Sequence, residues 1–265
     1  MGALAIPDIL ALDFDGVLCD GMAEYFETSR RAYARIWPNA PRPPERLLPS
    51  FRALRPVVMS GWEMPLLLRA VEIGRPGAQI LAGWDTVRDE LVKADSAEGD
   101  GLVARLGRAL DESRRDWIAA DPKGWLALHV PYCPLEELRR VIAEPERAIL
   151  VTTKEGAFAR LILDDWGVRL ADVQGKEAGT HKCENLRTAI ASYADAHGRR
   201  PRLWFVEDRL ETLQHVASHR DLDDVGLFLA TWGYNTEATR EAARRDARIR
   251  LLELSQWRRG VAHWM

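Results

Sequence analysis

The chain contains no run of about 18 consecutive apolar residues, so nothing in it is expected to span a bilayer. It also lacks a surplus of positive charge. Its 37 basic residues stand against 40 acidic ones in 265, a formal net charge of −3. That balance supplies no electrostatic pull toward nucleic acid or an anionic membrane. Cysteine is scarce: Cys19, Cys133 and Cys183 are odd in number and far apart, which disfavours a disulfide framework and suits a reducing compartment. Residues Met1 to Ile6 carry no basic flank and run straight into a strand-like segment, so no signal peptide is expected. Ile6 stands where a myristoylation signal would need Ser or Thr. There is no internal repeat and no low-complexity tract. These absences point to a soluble, cytoplasmic protein, long enough for one large α/β domain or a core with a smaller satellite.

What is present is a series of short apolar runs that end in polar residues or glycine. Ile9–Phe14 breaks at Gly16. Ala148–Val151 leads into Thr152-Thr153-Lys154, and Val168–Val173 runs toward Gln174-Gly175. Leu203–Val206 ends at Glu207-Asp208, Val225–Thr231 ends at Gly233, and Ile249–Leu252 follows. Such runs read as parallel strands buried on both faces. Helical patterns at Pro134–Ile142, Gly156–Asp164, Cys183–His197, Leu210–His219 and Glu237–Asp246 lie between them. Alternation of this kind predicts right-handed crossovers and a doubly wound, Rossmann-like parallel sheet.

The stretch 21–131 breaks the alternation. It shows no convincing strand, but helical segments at Ala23–Ile36, Glu45–Leu54, Glu63–Ile73, Trp84–Val92 and Leu102–Trp117, separated by proline and glycine clusters. It is expected to be an all-α domain inserted into an α/β core formed by 1–20 and 132–265. Five of the ten tryptophans fall in or beside it, mainly as core filler. Arg30, Arg31 and Arg35 read as a solvated face of its first helix.

Four places along the chain carry chemistry. Asp13-Phe14-Asp15-Gly16 follows the first strand; alternation puts residues i and i+2 on one side, and Gly16 lets the chain turn sharply. One carboxylate suits a nucleophile and the other a general acid and base; solvated turn aspartates are the bland alternative. Thr152 places a hydroxyl and adjacent N–H groups near a helix start, as an anionic oxygen requires, or as an ordinary N-cap does. Lys182 precedes a helix and taken alone is a surface lysine. Glu207-Asp208 juxtaposes two carboxylates at a strand's end, which suits a hard cation such as Mg²⁺, or an acidic helix start.

Order and spacing distinguish these readings. Asp13-x-Asp15-Gly16-Val17, Thr152, Lys182 and Glu207-Asp208, with a helical insert after the first motif, resemble the haloacid-dehalogenase superfamily over the whole chain. The spacing from Lys182 to Asp208 and the segment Thr231-Trp232-Gly233-Tyr234 are similar to its phosphoglycolate-phosphatase-like branch. Asp15, absent from the dehalogenases themselves, favours phosphate esters. Glu207, with Asp20, Glu24 and Tyr25, looks like the sugar-phosphomutase relatives, although Tyr25 and Phe26 stand where those carry a cap histidine.

The resemblance implies a Mg²⁺-dependent phosphatase acting on a small phosphorylated metabolite. Asp13 is the implied nucleophile and Asp15 the acid and base. Thr152, Thr153, Gly16 and Lys182 would contact the phosphoryl group, and Asp13, the Asp15 carbonyl, Asp208 and Glu207 would hold the metal. Arg55, Ser60, Trp62 and Glu63 are candidates for a specificity loop in the cap. Two alternatives stay open: a sugar phosphomutase, and a catalytically silent regulatory protein. Neither nucleic acid nor membrane is expected as a partner, and the chain is expected as a monomer or homodimer. Glu211, His215 and His219 are spaced four apart and could share a metal, but are read as surface residues. His181 and Cys183 flank Lys182 without a Cys-x-x-Cys pattern to support zinc.

Overall fold

A computed structural model describes residues 6–95, 101–179 and 181–264. Residues 1–5, on which most of the signal-peptide and myristoylation readings rest, lie outside the described residues. No helix among the described residues is long and apolar enough to cross a membrane. The chain forms two compact units: the described residues up to Asp20 with those from Val130 onward, and Gly21–His129.

The first unit begins with β1 (Ile9–Leu12) and a short β2 (Cys19–Asp20). The chain leaves it for the helices of the second unit: α1 (Met22–Ile36), α2 (Leu48–Leu54), α3 (Glu63–Glu72), α4 (Gly77–Asp95, broken at Gly83), α5 (Leu102–Ala120) and α6 (Pro122–Leu126). It returns through β3 (Val130–Pro131), then α7 (Leu135–Val141), β4 (Ala148–Val151), α8 (Gly156–Asp165), β5 (Asp172–Gln174) and α9 (Lys182–His197). The remainder is β6 (Leu203–Glu207), α10 (Leu210–Ala217), β7 (Gly226–Ala230), α11 (Glu237–Arg244), β8 (Ile249–Leu252) and α12 (Leu254–Arg258).

Six strands form one parallel sheet in the order β5-β4-β1-β6-β7-β8. Strand parity explains its two apolar faces. Ile9, Ala11, Ile149, Val151, Leu203, Phe205, Leu227 and Leu229 pack into one core cluster with Leu186 of α9 and Leu213 of α10. On the opposite parity, Trp204 and Phe228 meet Trp264, which stacks on Trp257 at 5.2 Å. The central strand β1 pairs with β4 on one side and β6 on the other. The strand order therefore reverses at β1, and in such sheets the crevice at the carboxyl ends of the strands is the usual place for a ligand.

Two features of this unit depart from the sequence expectation. The strand expected over Val168–Val173 covers Asp172–Gln174: Val168 is drawn back to close α8, donating its N–H to the Leu163 carbonyl. The stretch expected to lack strands contains β3, which pairs antiparallel with β2 where the chain leaves and re-enters the unit.

In the helical unit, α1 packs on α5 and α3 around Ala32, Ala109 and Leu110. Glu24 on α1 is fully buried and accepts from Thr28 Oγ1 (2.7 Å), Arg114 Nε (2.8 Å) and Trp125 Nε1 (3.1 Å). Of the arginines expected on a solvated face, Arg35 is exposed and Arg30 and Arg31 are half-buried, and all three are ion-paired. Arg30 and Arg31 bond to Glu27, Arg35 reaches Glu112 and Asp116 on α5, and Arg31 lies 4.0 Å over the Trp117 ring.

Candidate active site

Hydrogen bonding of β1 continues one residue past the strand, since Asp13 N–H donates to the Val206 carbonyl at 2.9 Å. This holds Asp13 beside the end of β6. The chain then folds back: the N–H groups of Val17, Leu18 and Cys19 all donate to the Phe14 carbonyl, and Gly16 donates to Cys19. Gly16 adopts φ 91°, open to glycine and strained for any other residue. A Cβ at Gly16 would also stand 2.1 Å from Asp208 Oδ2, so glycine is required twice over.

Asp208 is clamped between two such backbone approaches. A Cβ on Gly233 would stand 2.3 Å from its Cβ, and its Oδ2 accepts the Tyr234 N–H at 2.6 Å. Asn235 Nδ2 donates to its carbonyl at 3.1 Å. The Tyr234 hydroxyl donates to Asp20 at 3.2 Å, and Trp232 Nε1 to the Val17 carbonyl at 3.1 Å. The loop after β7 thus fixes both the Asp208 side chain and the turn after β1.

Lys182, at the first position of α9, reaches Asp13 Oδ1 at 2.8 Å and Glu207 Oε2 at 2.5 Å. The other Glu207 oxygen accepts the N–H groups of Asp208 and Arg209 at 3.1 and 3.0 Å. Carboxylate oxygens of Asp13, Glu207 and Asp208 lie within 4.8 Å of one another, and all three residues are buried. One ammonium therefore faces several carboxylates. Burial, then repulsion from Glu207, pushes the Asp13 carboxyl up to about 7 against the pull of Lys182. Glu207 is raised as well, by burial first. Burial alone would push Lys182 down, but the facing carboxylates reverse that and hold it above the ordinary lysine range. The Tyr132 phenol is raised by burial, and by the charges of Asp20 and Asp208.

Asp15 is separate. Lys154 Nζ meets both its oxygens at 3.2 Å, and both residues are buried. The turn after β4 sets this lysine. Thr152 N–H donates to the Gln174 carbonyl of β5, while Thr152 Oγ1 accepts the Lys154 N–H at 3.1 Å. The hydroxyl accepts in this turn and keeps its own hydrogen to donate. Thr153 is exposed, and the first amide of α8, Gly156 N–H, is already held by the Glu177 carboxylate at 3.1 Å.

Of the residues singled out from sequence, Asp13, Lys182, Glu207 and Asp208 come together in one cluster, and Asp15 follows Asp13 on the turn beside Gly16. Thr152 acts on the backbone of Lys154. Arg55, Ser60, Trp62 and Glu63 lie in the helical unit. There Glu63 is buried and accepts from Met59 N–H and Trp84 Nε1, both at 3.0 Å, and Arg55 donates to the Val58 carbonyl. Sequence reasoning missed Lys154 as a site residue. Its signal was a lysine two residues past Thr152, and therefore of the same parity, at the end of a buried strand.

No family model matches the chain, and no curated protein matches it. Solved structures do resemble it. A predicted phosphatase from Clostridium acetobutylicum shares 13% identity over 96% of this chain and 98% of its own, with a TM-score of 0.54. A predicted phosphoglycolate phosphatase from Haemophilus somnus shares 14% over 88% and 89%, at 0.53. A haloacid dehalogenase-like family hydrolase from Streptococcus pneumoniae shares 13% over 92% and 94%, at 0.52. At such identities the likeness is one of fold: the chain has the fold of the haloacid dehalogenase-like hydrolases.

Proposed function

We propose that the protein is a Mg²⁺-dependent phosphatase that hydrolyses a small-molecule phosphomonoester through an aspartyl-phosphate on Asp13. The observation that carries this reading is the cluster at the strand ends. A buried Asp13 faces Lys182 at 2.8 Å and shares a 4.8 Å neighbourhood with Glu207 and Asp208, while Asp15 stands two residues on with a lysine of its own. Buried carboxylates outnumbering their ammonium make a poor apolar core and a good hard-cation site.

The donor set fits Mg²⁺. Asp13 and Asp208 would supply oxygen ligands, and Glu207, whose oxygens are engaged by Lys182 and two amides, would act by holding Lys182 in place. When bound, the ion would add positive charge that offsets repulsion between the carboxylates and an incoming phosphate. Asp13 attacks phosphorus and carries the phosphoryl group. Lys182, in contact with the attacking carboxylate, neutralises charge that develops on the phosphoryl oxygens. Asp15 protonates the leaving oxygen and then takes a proton from the water that cleaves the acyl phosphate. Thr152 donates its hydroxyl hydrogen to a phosphoryl oxygen. The names of the structural neighbours agree with phosphatase chemistry.

The test is hydrolysis of p-nitrophenyl phosphate by the full chain with and without Mg²⁺. Turnover should depend on Mg²⁺ and vanish in Asp13→Asn. In metal-free buffer that variant should be at least as stable as the wild type, because it removes one of the competing carboxylates. Substantial residual turnover in a folded Asp13→Asn protein would remove Asp13 as nucleophile.

A further inference from the structure

The same core unit holds a second cluster, of different chemistry, that the proposed reaction does not use. Cys183 occupies the first turn of α9, directly after Lys182, and is buried. His215 lies in the last turn of α10, and His219 lies just past that helix, which ends at Ala217. The spacing of Glu211, His215 and His219 had suggested one helical face with a carboxylate. The structure replaces that carboxylate: Glu211 faces Arg209 at 3.5 Å, and the third member of the cluster is a thiol. Cys183 Sγ is 3.8 Å from His219 Nδ1, the two imidazole rings are 4.8 Å apart, and one potential ligand atom from each residue lies within 4.8 Å of the others.

From this arrangement we propose that Cys183, His215 and His219 bind a borderline divalent cation of the zinc class, at a site separate from the carboxylate cluster. Metal–sulfur and metal–nitrogen bonds of about 2.3 and 2.0–2.1 Å put tetrahedral ligand atoms about 3.3–3.6 Å apart. The sulfur–nitrogen pair already stands within a few tenths of an ångström of that. The remaining contraction falls on His215, which is exposed and can change rotamer without disturbing the core. His219 Nδ1 lies 2.8 Å from the His215 carbonyl, a hydrogen bond that the ion would replace when that nitrogen ligates. One thiolate and two imidazoles select Zn²⁺, Co²⁺ or Cu²⁺ over Mg²⁺. The carboxylate cluster has the reverse preference. Binding releases the thiol proton to solvent and leaves a fourth position for water. The ion would tie the first turn of α9, which begins with Lys182, to α10, which follows Asp208.

Cobalt tests this on the full, metal-stripped chain, with excess Mg²⁺ present to occupy the carboxylates. Wild type should take up Co²⁺ with a thiolate-to-cobalt charge-transfer band and intense tetrahedral visible bands, and one equivalent of Zn²⁺ should bleach both. Cys183→Ser should lose the charge-transfer band, whereas Cys19→Ser and Cys133→Ser should keep it. His215→Ala, at an exposed position that does not threaten folding, should weaken cobalt binding at least tenfold, and His219→Ala likewise. Absence of the band in wild type would overturn the site. So would a band that survives Cys183→Ser, or cobalt affinity indifferent to both histidines. None of these readouts depends on phosphatase turnover, so the site stands or falls apart from the proposed reaction.

Discussion

Replacing Lys182 with Met isolates the electrostatics of the carboxylate cluster. Lys182 Nζ lies 2.8 Å from Asp13 and 2.5 Å from Glu207, and the Glu207 side chain is fully buried. One ammonium balances one of the two carboxylates, and Asp13 is already pushed up to about 7. Removing the ammonium strands Glu207. If it stayed ionised, its repulsion with a neighbour within 4.8 Å would cost about 3–4 kcal/mol or more at an effective dielectric of about 20. If it took a proton, the cost would be about 1.4 kcal/mol for each pH unit above an ordinary glutamate value of about 4.3. That is about 4 kcal/mol at pH 7 and about 1 kcal/mol at pH 5. The amides of Asp208 and Arg209, which stabilise the charged form, and the burial that already raises Glu207 in the wild type make these upper figures.

The sign follows from linkage. The variant raises a carboxyl pKa in the folded state, so the destabilisation starts near the unfolded value and grows as pH rises. Urea unfolding of wild type and Lys182→Met in metal-free buffer at pH 5 and pH 7 should show a loss larger at pH 7 by about 2–3 kcal/mol. Millimolar Mg²⁺ should return part of the loss at pH 7. An equal loss at both pH values, or a larger one at pH 5, would refute the account and leave Lys182 as a packing residue.

Lys154→Met should reduce turnover of alkyl phosphates about tenfold more than that of p-nitrophenyl phosphate, because an aryl leaving group needs little help from the acid that Lys154 holds; equal losses would leave Lys154 with no part in proton transfer. Asp8 is held well below the ordinary carboxylate range, by Arg199 first and then by the Arg202 N–H and Tyr193. Its contribution is therefore present above about pH 4 and lost as pH falls. After allowance for the exposed Arg199, Asp8→Asn should cost about 1 kcal/mol at pH 7, and the cost should shrink only as pH falls below about 4 in urea titrations. Arg114→Met should destabilise the helical unit by about 3–5 kcal/mol, since it withdraws the guanidinium from a fully buried Glu24. Adding Glu24→Gln should recover most of that loss by calorimetry, and a purely additive double variant would contradict the pairing.

The strands at Ala148–Val151 and Leu203–Val206 were legible because a strand buried on both faces writes itself as an unbroken apolar run. The same rule misled at Val168–Val173, where the early residues are apolar because they close α8 and not because they enter the sheet. The pairing of β2 with β3 was illegible, since two-residue strands that meet across more than a hundred residues leave no periodicity. Asp13, Lys182, Glu207 and Asp208, singled out by order and spacing, come together in the fold, with Asp15 two residues on. Lys154 was not singled out, because a lysine after a strand reads as a solvated residue until the structure brings a carboxylate to it from another strand. Cys183 was weighed for zinc beside His181 and set aside for want of a Cys-x-x-Cys pattern. Its proposed partners lie on and just past α10, more than thirty residues away, and helical spacing alone grouped them with Glu211.

The two lysines divide the aspartates that the sequence motif places together. Asp15 has Lys154, whose Nζ meets both of its oxygens. Asp13 must share Lys182 with Glu207, and stands near Asp208 besides. If folding stability alone shaped this corner, Glu207 would be an amide or an apolar residue, because a buried ion pair is at best neutral and an excess buried carboxylate is a cost. Unbalanced negative charge survives in native cores mainly where a function needs it. Here it falls on the aspartate assigned as nucleophile, and the aspartate assigned to proton transfer is the one supplied with its own cation. On the proposed reading, a cation at the cluster would offset the charge of Asp13 and its neighbours, and Lys182 would meet the anionic phosphoryl group. The electrostatic imbalance, more than any single motif, therefore argues that the cluster is a site and not a buried salt bridge.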